Sequence, residues 1–137
     1  MMAISTRGRY SVRILVLMAS RPLGHVLTKH DIAEAEGISP AYVQQLMMTL
    51  RAAGLVCSHR GKVGGFTLAR DPKAITVAEV VRASEGPIAL APCLAAERCE
   101  REEGCPTKGL WAQAGELLDE LFSRVTIADL VSEAAPV

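Results

Sequence analysis

Three cysteines stand close together in this chain of 137 residues: Cys93, Cys99 and Cys105, spaced C-x5-C-x5-C. Thiolates are soft ligands that suit iron–sulfur clusters or zinc, and three of them within thirteen residues of loop can converge on one metal centre. The spacing is neither the C-x2-C of zinc ribbons nor a ferredoxin run. The plainer alternative is three surface thiols without a cofactor. Cys57 lies far from the triad, in a predicted strand, and reads as a small buried hydrophobe. Lys108 follows Cys105 at C-x2-K, and a protonated ammonium cannot ligate. A fourth ligand is therefore open among Glu97, Glu100, Glu102, Glu103, His25, His30, His59, a small molecule or a group from a partner subunit.

Compartment bears on what the thiols do. The N-terminus has no signal-peptide pattern, and the apolar run Ile14–Ala19, bracketed by Arg13 and Arg21, is too short to span a bilayer. A cytoplasmic protein with no membrane partner is expected. Cytosolic thiols stay reduced, so metal binding or redox chemistry is a better reading of the cluster than structural disulfides.

The elements that must position this chemistry are mainly helical. Half of the residues are hydrophobic and only 4% aromatic, which allows a packed aliphatic core and favours helices. A first helix is predicted from about Arg9 to Ser20, with Tyr10, Ile14, Leu17 and Met18 on one face. A second begins at Thr28, where Asp31 takes the place of Glu in a capping box, and stops at Gly37. A third opens on Ser39 as N-cap and Pro40 at N1, buries Val43, Leu46, Met47 and Leu50, and closes at Gly54. Two helices joined by so short a glycine turn make a helix-turn-helix. Leu55–Ser58 and Phe66–Ala69 read as strands around a glycine-rich basic loop from His59 to Gly65, the wing of a winged helix. Thr76 and Glu79 form a full capping box for a helix to about Glu85. A loop then carries the cysteines to Gly104. A long helix follows from about Pro106 to Val125, with an apolar seam of Leu110, Ala114, Leu117, Leu118, Leu121 and Val125, and Thr126 to Asp129 cap a last short helix.

The predicted organisation is a winged helix-turn-helix in 1–85, a cysteine loop in 86–105, and a dimerisation helix with a C-terminal helix in 106–137. The formal net charge of zero hides an asymmetry. Residues 1–73 carry ten Lys/Arg and four Asp/Glu, a net of +6, and residues 74–137 carry five and eleven, a net of −6. The basic half is suited to meet an anion. The third helix is expected to present Ala41, Gln44, Gln45 and Met48. Glutamine can bond bidentately to adenine in the major groove, and alanine can touch a thymine methyl. Tyr42, Arg51, Arg7 and Arg9 are expected phosphate contacts near or before that surface, and Ser39 stands at the helix start. In the wing loop Arg60–Gly61–Lys62–Val63–Gly64–Gly65, glycine permits close backbone approach and a cation can enter a minor groove. Double-stranded DNA is the implied partner. No nucleophile–base pair, phosphate-binding glycine motif or paired carboxylates point to an enzyme.

These stretches resemble the iron–sulfur cluster regulators of the IscR and NsrR type, over roughly residues 3–132. The resemblance is carried by Ser5–Tyr10, Asp31–Ala33, Gly37–Ser39, Tyr42 with Gln45–Leu46, Leu50–Arg51 and Gly54–Val56. It continues through Arg60–Gly61, Gly64–Gly65, the cysteine triad and Leu110–Trp111. It implies a winged-helix homodimer with the long helix crossing its partner. It also implies a [2Fe-2S] or [4Fe-4S] cluster on Cys93, Cys99 and Cys105, and DNA reading by Gln44, Gln45 and Arg60. The expected function is a transcription regulator, acting as a repressor, whose operator binding follows the state of the cluster. Two departures stand out. Lys108 occupies the place of a histidine in the IscR-like branch, and Arg9 aligns with an aspartate of the NsrR-like branch, so neither branch's fourth ligand is present. Gln44 replaces a frequent glutamate, which removes a negative charge beside DNA. Two rival readings remain: the same fold as a cofactor-free thiol or metabolite sensor, and a small electron carrier, which would have no use for the basic half or the wing.

Overall fold

The computed structural model of the chain describes residues 1–62 and 64–134. Val63 of the wing loop and residues 135–137, the end of the predicted dimerisation segment, lie outside the described residues. Within them the order is α1 (Thr6–Ala19), α2 (Lys29–Glu36), α3 (Pro40–Ala52), β1 (Val56–His59), β2 (Gly65–Leu68), α4 (Val77–Glu85), α5 (Lys108–Arg124) and α6 (Ile127–Ala134). Short 3-10 turns occupy Pro72–Ala74 and Pro92–Leu94. The fold is mainly α with one antiparallel hairpin, as the sequence implies.

Local chemistry explains most helix ends. Thr28 Oγ1 accepts from Asp31 N while Asp31 Oδ2 accepts from Thr28 N, which completes the capping box of α2 with the shorter acid. Gly37 ends α2 at φ 68, the left-handed region that glycine enters without penalty. Ser39 Oγ accepts from Tyr42 N and Pro40 opens α3. Thr76 and Glu79 make the reciprocal pair at α4, and Thr126 and Asp129 repeat it before α6. α1 begins earlier than Arg9, because Ser5 Oγ accepts from Gly8 N and starts the helix at Thr6. α5 starts later than Pro106, with Thr107 as N-cap and no side-chain cap bond.

Ile14, Leu15, Ile32, Val43, Leu46, Met47 and Leu50 meet in one core between α1, α2 and α3. Leu55 and Phe66 close it below the hairpin, and Ile75, Val80 and Ile127 close it beside α4 and α6. The strands pair Val56 with Leu68, Cys57 with Thr67, Ser58 with Phe66 and His59 with Gly65. His59 and Gly65, expected in the loop, therefore belong to the ladder, where His59 Nε2 and Thr67 Oγ1 lie 2.8 Å apart in a hydrogen bond. Leu27 bridges Phe66 in both directions, with N···O distances of 3.0 and 2.8 Å, and ties the hairpin to the segment before α2.

One expectation is corrected. Cys57 is exposed, not a buried hydrophobe. Side chains alternate across a strand, and only one face of this two-stranded ribbon is covered. Val56 points into the core, so Cys57 points out, across from Thr67.

Candidate DNA interface and cysteine loop

The core fixes which face of α3 is left to meet a partner. Val43, Leu46, Met47 and Leu50 are all buried, so the opposite arc presents Ala41, Gln45 and Met48, with Gln44 half-buried at its edge. Tyr42 is half-buried, and its ring meets that of Tyr10 edge-to-face at 6.3 Å, which anchors the first turn of α3 on α1. Ser39, spent on capping Tyr42 N, keeps an exposed position at the helix start. Arg51 is exposed at the end of α3, and Arg60 and Lys62 are exposed on the wing. Arg7 and Arg9 are exposed in the opening turns of α1, and Arg9 Nη2 donates to Thr6 Oγ1 at 3.4 Å. None of these seven cations and glutamines has an ion-pair partner among the described residues. Arg13, Arg70, Arg82 and Lys108 do, with Glu36, Glu79, Asp119 and Glu102 respectively.

The cysteine loop is built differently. Cys93 sits in the turn Pro92–Leu94, Cys99 is exposed, and Cys105 lies three residues before α5. All four cysteines are free thiols. Among the described residues, no three His, Cys, Asp or Glu side chains stand close enough to hold a metal ion together. The Cys105 thiol is nonetheless biased toward the thiolate. The Thr107 hydroxyl, 3.5 Å from its sulfur, together with the backbone N–H groups of Thr107 and Lys108 and the Lys108 charge, lowers its pKa below the usual thiol range. Lys108 is itself held protonated, first by Glu102 and further by the fields of Cys93 and Cys105.

That Glu102–Lys108 pair fastens the loop between Cys99 and Cys105 to the first turn of α5. Sequence reasoning missed it, since six residues with a turn between them carry no periodic signal. A second missed contact starts at the other end of the loop. Glu85, the last residue of α4, accepts a hydrogen bond from the Ser5 backbone N–H, and a Cβ on Gly8 would come 2.9 Å from its carboxyl carbon. The glycine at position 8 is what lets this carboxylate reach the start of α1.

α5 stands on the edge of the fold. Of its seventeen residues only Gly115 is buried, where a Cβ would meet the Ile88 carbonyl oxygen at 3.4 Å. The predicted seam divides: Ala114, Leu118 and Val125 are half-buried, while Leu110, Leu117 and Leu121 are 57%, 67% and 46% exposed.

This arrangement can be compared with known proteins. Residues 4–133 match the family described as Rrf2, iron-dependent transcriptional regulator. The chain belongs to the Rrf2 family. It is 34% identical over 131 residues to the HTH-type transcriptional regulator IscR of Yersinia enterocolitica, spanning 96% of this chain and 80% of that one. The solved structure of CymR, the global cysteine regulator of B. subtilis, matches with a TM-score of 0.81 at 35% identity, covering 97% of this chain and 98% of that one. T. potens IscR matches with a TM-score of 0.77 at 31% identity, covering 98% and 89%. The resemblance read from the motifs and the winged-helix fold are both borne out. This Rrf2 chain is a DNA-binding transcriptional regulator and not an enzyme. Among the described residues, no helix is long and apolar enough to cross a membrane.

Proposed function

We infer that this Rrf2 regulator binds promoter DNA as a homodimer in the cytoplasm, as a repressor, and that an iron–sulfur cluster on Cys93, Cys99 and Cys105 controls the binding. The observation that carries this reading is the position of the three free thiols. They lie on one loop that joins α4 directly to the exposed helix α5, with Cys105 at the threshold of that helix. The donor set fits such a group: soft sulfur ligands, free of disulfides, one of them already biased toward thiolate. A cluster held there would supply a centre sensitive to oxidants and to iron supply. The fourth ligand is left to a group outside the triad, because the Lys108 ammonium is committed to Glu102.

The chain's own residues supply the rest. Residues 1–85 read DNA: Gln44 and Gln45 take base edges from α3, with Ala41 beside them. Arg7, Arg9, Ser39, Tyr42 and Arg51 hold phosphates, and Arg60 and Lys62 reach the groove from the wing. Residues 86–105 sense. Residues 106–137 dimerise, since Leu110, Leu117 and Leu121 of α5 find no cover in one chain and a second copy of the helix would bury them.

The start of the loop meets the residues that precede α1. A cavity of about 330 Å³ is bounded by Met2 and Ile4 on one side, Ile88 and Leu90 on another, and Leu118 and Phe122 of α5. Reordering the loop therefore alters both α5 and the start of α1. In a dimer this changes the spacing of the two α3 helices and so the population able to bind an operator.

The test is the absorption spectrum of anaerobically purified protein, with iron and acid-labile sulfide counted per chain and operator affinity measured before and after cluster removal. Visible charge-transfer bands with matched iron and sulfide, together with a change in affinity, are expected. Equal affinity of the two forms for every operator removes the switch. The lowered Cys105 pKa favours one second reading, a thiol sensor without a cofactor. Protein that stays colourless after reconstitution selects that reading.

A further inference from the structure

Met48 is 62% exposed, and the core lies on the other side of its helix. Its neighbour Met47 is fully buried, so two consecutive methionines are divided between the interior and the surface of α3. Single exposed apolar side chains are ordinary on protein surfaces. The position of this one is what carries meaning.

At about 100° per residue, Met48 lies about 20° from Ala41, about 40° from Gln44 and about 60° from Gln45 around the helix axis. It is therefore near the middle of the arc those three residues span, one turn further along the helix. A docking that lays α3 along the major groove with both glutamines on base edges turns the Met48 side chain toward the same groove, about 5 Å further along the helix. A thioether has no donor and only a weak acceptor. Against guanine, cytosine or adenine edges it would leave groove polar groups without partners and without water. One feature of the groove rewards it, the thymine C5-methyl group. The unbranched, polarisable side chain can adjust its three torsions to reach that methyl. The basic half of the chain, with its exposed Arg51, Arg60 and Lys62, provides the charge complementarity that brings duplex DNA to this face.

We propose that Met48 is a specificity-determining residue that selects thymine in each half-site of the operator, through apolar contact with the thymine methyl beside the adenines read by Gln44 and Gln45. This rests on the reading of α3 as the helix that enters the major groove.

The experiment selects binding sequences from random duplex DNA with the anaerobically purified protein, and in parallel with Met48→Ser and Met48→Leu. The exposure of Met48 makes both substitutions compatible with folding. Each thymine of the selected site is then replaced in turn by deoxyuridine, which removes only the methyl group. At one thymine per half-site, wild type and Met48→Leu are expected to lose about fourfold in affinity, the value of one buried methyl-sized group. Met48→Ser is expected to be indifferent to that replacement and to show a relaxed preference at the same position. Identical uracil profiles for wild type and Met48→Ser overturn the proposal, and so does a wild-type site without a methyl-sensitive thymine. In both cases an enriched motif leaves the DNA-reading role of α3 standing. Failure of the wild-type protein to enrich any motif removes that role and the proposal together.

Discussion

Replacing Gly65 with alanine should loosen the wing from the core. Gly65 pairs with His59 in the hairpin and precedes Phe66, which exchanges two backbone hydrogen bonds with Leu27. A Cβ at position 65 would press first on the Leu27 carbonyl oxygen, and would stand 2.8 Å from the Leu27 carbonyl carbon and 2.9 Å from Val26 Cγ1. Carbon atoms in good contact stay about 3.5–4.0 Å apart, so the two backbones must separate by at least roughly 0.7 Å. That stretches the 2.8 Å bond from Phe66 N to Leu27 O to the limit of hydrogen bonding, and the 3.0 Å reciprocal bond beyond it. Two bonds at about 1 kcal/mol each, with some loss of packing around Leu27 and Phe66, give about 2–4 kcal/mol of lost stability. For a chain of this size that corresponds to a fall in Tm of roughly 10 °C. The assay is urea unfolding at fixed protein concentration, with the midpoint lowered and the slope unchanged. Gly109→Ala is the control, because its Cβ meets nothing within 4 Å in the first turn of α5, and it should be neutral or slightly stabilising. A Gly65→Ala protein as stable as wild type, or more stable through a stiffer unfolded chain, refutes the close approach of Gly65 to the Leu27 backbone.

Three further outcomes are expected. Arg51→Ala at the end of α3 should weaken binding to all duplexes alike and lower the slope of log affinity against log salt by about one, which a titration series at several salt concentrations measures. Thr107→Val removes the largest contribution to the lowered Cys105 pKa, so in a protein with Cys105 as sole cysteine the alkylation rate should rise through its midpoint at higher pH than with Thr107 present; coincident profiles would contradict the hydroxyl–sulfur contact. Asp31 and Asp129 have folded pKa values lowered mainly by the backbone N–H groups of Thr28 and Thr126. Their contribution to stability is complete above the unfolded carboxylate value near ~3.9. It is lost as pH falls through the lower folded values, and Asp31→Asn with Asp129→Asn should flatten the acid limb of the stability curve.

Much of the scaffold is legible in the residues because its rules are local. Thr28 with Asp31, Ser39 with Pro40, and Thr76 with Glu79 act within one turn of backbone, so spacing alone announces where α2, α3 and α4 begin. The buried stripe of α3 follows from its 3.6-residue period, which assigns Val43, Leu46, Met47 and Leu50 inward and leaves Ala41, Gln45 and Met48 outward. The cysteine spacing and the charge division are likewise properties of the chain order.

The tertiary structure decided what depends on contacts between distant segments. Whether Cys57 is buried turns on which face of the hairpin the core covers, and a strand of four residues does not state that. Glu85 and Ser5 are eighty positions apart and meet because α4 packs along α1, with no side chain at Gly8 to block the carboxylate. The seam of α5 looks uniform as a helical pattern, yet packing against α4 shelters Leu118 and leaves Leu117 and Leu121 outside. The same holds in the loop, where Lys108 turns to Glu102 six positions back. Sequence periodicity reports a residue's neighbours along one element. Burial and ion pairing depend on how separate elements pack, and the packing carries no period to read.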